Sequence, residues 1–124
     1  MGIETGARRR APTREDAMSM CWVQAGICGE ETSIEASKTG PSEIALSFTT
    51  TCEHITALAE DLRAVDAGVE LSRPMNETLT YAAAAKHCCR TSCVVPAAVL
   101  KSVEATAGVF LPAACSIEFI DGAL

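Results

Sequence analysis

Glu43-Ile44-Ala45-Leu46-Ser47-Phe48-Thr49-Thr50-Thr51-Cys52-Glu53-His54-Ile55-Thr56-Ala57-Leu58-Ala59-Glu60-Asp61-Leu62 changes its hydrophobic period in the middle. Ile44, Leu46 and Phe48 alternate with Glu43, Ser47 and Thr49, the period of a half-buried strand. From Ile55 onward, Leu58, Ala59, Leu62 and Val65 recur at three- and four-residue spacing, one apolar face of a helix. Thr50-x-x-Glu53 matches a capping box, which makes Thr50 the expected N-cap and puts Cys52 in the first turn. Asp66-Ala67-Gly68 is the expected helix end.

Toward the N-terminus the strand period continues. Met18 to Gln24 reads as a strand with Met20 and Trp22 on one face and Cys21 and Val23 on the other. Gly26-Ile27-Cys28-Gly29 is a turn whose glycines let the backbone bend tightly around the cysteine. A second strand spans about Glu31 to Lys38, and Thr39-Gly40-Pro41-Ser42 turns into the third. Three strands joined by short turns make an antiparallel meander.

Toward the C-terminus an extended piece, Val69-Glu70-Leu71, leads to Pro74 and an alanine-rich helical run from about Asn76 to His87. Pro96 suits the first position of a third helix, with Val99, Leu100, Val103 and Ala107 inward and Gly108 at its close. After Pro112, Cys115, Ile117 and Phe119 alternate with Ser116 and Glu118, the expected last strand, Ala114 to Ile120. The order βββααα-β predicts an α+β fold, an antiparallel or mixed sheet with helices packed on one face.

The chain has 124 residues and is 48% hydrophobic and 21% charged, the composition of one globular domain. Residues 1–17 lack an apolar period and read as a flexible basic arm, leaving residues 18–124 as a single cysteine-rich α+β domain. A net charge of −6 argues against nucleic-acid or anionic-membrane binding. No apolar run is long enough for a membrane span, and Arg8-Arg9-Arg10 leads into polar residues rather than a secretory core. The expected location is cytoplasmic.

Seven cysteines in such a chain point to metal binding or redox chemistry, because a reducing cytosol disfavours disulfides. Cys21 and Cys115, at alternating strand positions, read as core packing. Cys28, Cys52 and Cys93 occupy a glycine-flanked turn and two sites near helix starts, where unpaired N–H groups stabilise thiolate. Cys89 or Cys88 supplies a fourth sulfur. Cys89 shares a face with Cys93 if the segment is helical, and Cys88 is better placed if it is a loop. The expected ligand set is Cys28, Cys52, Cys89 and Cys93, with Cys88 and His87 as alternates. His54, in the helix turn with Cys52, reads as a solvated or capping side chain. Four thiolates suit an iron–sulfur cluster or a tetrahedral zinc, although no C-x2-C pair is present.

The segments Ala25-Gly26-Ile27-Cys28-Gly29, Cys52-Glu53-His54-Ile55, Pro74-Met75-Asn76-Glu77-Thr78 and Cys93-Val94-Val95-Pro96 together resemble a small uncharacterised, cysteine-containing prokaryotic domain family of anaerobic bacteria and archaea. The resemblance covers about residues 18–120 and matches at Cys28, Cys52 and Cys93. It implies an anaerobe's cytoplasm, and so an iron–sulfur cluster over zinc.

The leading expectation is therefore a [4Fe–4S] protein for electron transfer, or for small-substrate chemistry at an open iron. Its acidic surface would dock on a basic redox partner. A zinc-stapled interaction module is the second expectation. A thiol enzyme is the third, with Cys52 or Cys93 as nucleophile and His54 or His87 as base. An exposed sheet edge allows a homodimer.

Overall fold

The structure, a computed structural model, describes residues 17–121. Strands β1 (Met18–Gln24), β2 (Glu31–Lys38) and β3 (Glu43–Thr50) form the expected antiparallel meander. The register pairs Cys21 with Ile34 and Ile34 with Phe48, so all three strands present one alternating set to the same face. On that face Val23, Ile34, Ala36, Ile44 and Leu46 are buried. Cys21 is half-buried and packs against them, as a small core side chain.

The change of period falls where the sequence puts it, but the capping box does not form. Thr50 remains the last residue of β3 and donates its hydroxyl to the Glu31 carbonyl, while accepting from the Cys52 N–H. Helix α1 therefore begins at Glu53 and ends at Asp61, with Cys52 as its N-cap and no side-chain cap. Ile55, Leu58 and Leu62 are buried against the sheet as the helical stripe requires.

The stripe does not extend to Val65. The chain turns after Leu62 into β4 (Ala64–Asp66), which pairs with Glu43, Ile44 and Ala45 and completes the sheet order β1-β2-β3-β4. Val65 is buried from a strand, a position where helical and strand spacing both place it inward. A second correction follows at once. Val69-Glu70-Leu71 is not extended: Val69 and Glu70 end a single helical turn, α2 (Ala67–Glu70), with Leu71 as its C-cap and the Asp66 carboxylate accepting from the Val69 N–H at its start.

After a short 3-10 turn at Met75–Glu77, helix α3 spans Leu79–His87 with the Thr78 hydroxyl accepting from the Tyr81 N–H. Helix α4 spans Val95–Ala107 with Pro96 in its first turn, and Gly108 closes it in the left-handed region at φ 81°. Val99 and Val103 are fully buried under β1 and β2. The result is an α+β fold with the helices on one face of an antiparallel sheet.

The expected last strand is the largest departure. Ala114–Ile120 joins no sheet, and Cys115, expected in the core, is exposed. Alternation specifies which side chains a strand would bury, but a strand exists only when another supplies hydrogen bonds. The basic arm lies outside the described residues, apart from Ala17.

Candidate thiol centre

The meander brings the β1–β2 turn and the end of β3 to one end of the sheet. Gly26 and Gly29 both have positive φ, 92° and 77°, and the Gly29 N–H donates to the Gly26 carbonyl at 2.9 Å. Cys28 lies exposed on this turn. Two contacts tie the turn's exit to the residue before Cys52. The Thr51 hydroxyl donates to the Glu30 carboxylate at 2.7 Å and accepts from the Glu31 N–H at 3.1 Å. Glu30 is thereby engaged as a structural acceptor. Glu31 and Glu53 are exposed.

Helix α3 brings the other cysteines. Its start is fixed by a group the sequence reading missed: Glu70, only 2% exposed. The Glu70 carboxylate accepts from the Leu79 and Thr80 N–H groups at 3.0 and 2.8 Å, and from the Thr80 hydroxyl at 2.7 Å. A buried acid is tolerated here because three donors satisfy it. The signal was an acid preceding a helix start, nine residues upstream and thus outside any capping pattern.

The far end of α3 is held by Asp61, the last residue of α1. The His87 Nε2 donates to its carboxylate at 2.6 Å and Lys86 lies 3.3 Å away. The His87 and Lys86 hydrogen bonds hold the Asp61 carboxyl below the usual carboxylate range. His87 thus commits one ring nitrogen to a carboxylate. His54, in the first turn of α1, is half-buried.

Because α3 stops at His87, Cys88 is its extended C-cap and Cys89 follows in a loop. Neighbouring residues then point opposite ways. Cys88 is half-buried against the core, as are Cys52 and Cys93, whereas Cys89 is exposed. Burial, then the charge and hydrogen bond of Cys93, then the charges of Cys52 and Cys89 push the Cys88 thiol from 9.0 up to about 12. Of the sulfurs expected or weighed as ligands, Cys93, Cys52 and Cys89 thus each bear on Cys88. Cys28 is not among the groups acting on Cys88.

Between α3 and α4 a cavity of about 350 Å³ opens onto Cys88, Cys89 and Cys93 and is lined also by Tyr81, Arg90 and Pro96. Like-charged thiolates crowded beside an apolar wall cannot all ionise alone. Such a cluster binds a cation, stays protonated, or closes a disulfide. Among the described residues, no group of three or more His, Cys, Asp or Glu side chains is arranged to hold a metal ion. No helix among them is long and apolar enough to cross a membrane.

A protein-family model described as "Family of unknown function (DUF6951)" matches residues 19–119. No curated protein and no solved structure matches the chain.

Proposed function

For this chain, which belongs to the family of unknown function DUF6951, we propose a small iron–sulfur protein that passes electrons to a basic partner. The observation that carries the reading is the half-buried Cys88 thiol at a cavity shared with Cys89 and Cys93, its ionisation suppressed by burial first and then by Cys93, Cys52 and Cys89. A multiply charged iron–sulfur core removes that repulsion, because its iron neutralises each thiolate it takes.

The ligands in this reading are Cys52, Cys88 and Cys93, with Cys28 closing from its turn. Cys88 takes the place of Cys89 in this reading because Cys88 is the thiol on which Cys93 and Cys52 both act. The cluster is preferred to zinc on the family resemblance of the cysteine-bearing segments, and four thiolates suit either group. An origin in anaerobic bacteria and archaea, and a cytoplasmic location, belong to the same reading. The net charge of −6 supplies the attraction for a basic partner.

A second reading has one observation of its own. Cys88 and Cys93 line one cavity, and Cys93 bears on the Cys88 thiol more than any other group does, which suits a dithiol that cycles with a disulfide. Purification without oxygen, with iron, sulfide, zinc and visible absorption measured together, separates these accounts. Iron and sulfide in matching amounts with a broad visible band support the cluster. A colourless, metal-free protein that forms one Cys88–Cys93 disulfide on mild oxidation supports the dithiol and overturns the cluster.

A further inference from the structure

The segment that forms no strand and the strand whose outer edge is unpaired among the described residues are complementary. β1 is a terminal strand, and among the described residues its outer edge pairs with nothing. Its helix-free face carries Met18, Met20 and Trp22, with Trp22 61% exposed. Unpaired edges with apolar side chains invite another strand. No proline or lysine within β1 blunts this one.

The C-terminal segment has the opposite deficit. Every residue from Gly108 to Asp121 is exposed, and none beyond Phe110 makes a backbone hydrogen bond among the described residues. Ile117 and Phe119 are 80% and 86% exposed, on the alternating set that a sheet would bury. The whole chain has five aromatic residues, and three of them, Trp22, Phe110 and Phe119, are exposed on these two elements. Aromatic residues are enriched at interfaces and scarce on free surfaces.

The segment leaves the domain near β1. The Ser19 hydroxyl lies 2.7 Å from that of Thr106, and Thr106 also donates to the Ala36 carbonyl, which fixes the end of α4 over β1 and β2. Gly108 then turns the chain, with the Val109 N–H returning to the Glu104 carbonyl. The free segment starts beside the free edge, yet does not pair with it in its own chain.

We propose that two copies of this chain form a two-fold dimer, each laying residues 114–120 along the β1 edge of the other. One chain holds both the donor strand and the acceptor edge, so two copies satisfy each other reciprocally and the assembly closes. Cys115, Ile117 and Phe119 then continue the apolar face of Met18, Met20 and Trp22, and Ser116 and Glu118 take the other side. The dimer is independent of any metal at the thiol centre.

The test is sedimentation of the full chain beside two variants, I117D/F119D in the tail and M20E/W22E on β1. Dimer in the full chain is expected, with the dissociation constant raised about a hundredfold or more in each variant. Near-unchanged far-ultraviolet circular dichroism will show that the variants still fold. A full chain monomeric at every concentration would overturn the proposal, as would a dimer unaffected by the tail variant. So would a monomer whose Trp22 emission shifts on I117D/F119D, since the tail would then cover its own edge.

Discussion

Cys52, Cys88 and Cys93 sit half-buried, with Cys52 and Cys93 both bearing on Cys88, while Cys28, Cys89 and Cys115 are exposed. The contrast is sharpest at Cys88 and Cys89, adjacent in sequence and opposite in surroundings. What separates them is where α3 stops. Glu70 fixes one end of that helix and Asp61 the other, so His87 is its last residue and Cys88 turns inward. Cysteine chemistry here is set by helix boundaries, which in turn depend on two carboxylates distant in sequence.

The largest expected effect is on reactivity. In metal-free protein near neutral pH, Cys88 holds about a thousandfold less thiolate than an unperturbed thiol, partly offset by its greater intrinsic nucleophilicity. Alkylation followed by mass spectrometry is expected to label Cys88 roughly a hundredfold more slowly than Cys89. Equal rates would erase the distinction between the two neighbours.

Glu70→Ala is the next largest. It strands two N–H groups and a hydroxyl, and a loss of about 3 kcal/mol in urea unfolding is expected. Native-state labelling of Cys88 should also accelerate toward that of Cys89, because α3 loses its anchor. Loss of stability without that acceleration would show that Cys88 is held by something other than α3.

Alkaline pH gives a smaller effect. The Cys88 pKa is raised on folding, so between 9.0 and about 12 the unfolded chain releases a proton that the folded chain keeps. Stability should fall as pH rises through that window, and Cys88→Ser should flatten the fall, while Cys89→Ser should not. The smallest effect lies at acid pH. Asp61 has a lowered pKa, so its contribution is present above 3.8 and disappears as pH falls through the folded value. Asp61→Asn should reduce the acid dependence of the thermal midpoint slightly.

Much of the fold was legible because strand alternation is local. Val23, Ile34 and Leu46 mark their own inward face, and the three strand spans follow from them. Thr50 shows where locality fails, since its hydroxyl could serve a helix start and instead serves the sheet through Glu31. Ala114–Ile120 fails for a different reason: its alternation is real, but pairing depends on an edge the sequence does not name.

Which cysteines lie half-buried together was legible only in part. Cys52 and Cys93 could be picked out from their places beside helix starts. Cys88 and Cys89 could not be separated, because the choice rests on one residue of helix length, and that length rests on Glu70 and Asp61.

The most direct measurement is iron and sulfide per chain, with the visible spectrum, for wild type, Cys88→Ser and Cys89→Ser purified side by side without oxygen. The account expects a brown wild type, a Cys89→Ser protein with the same content, and a Cys88→Ser protein that has lost most of it. A colourless wild type, or loss at Cys89 with retention at Cys88, would contradict it.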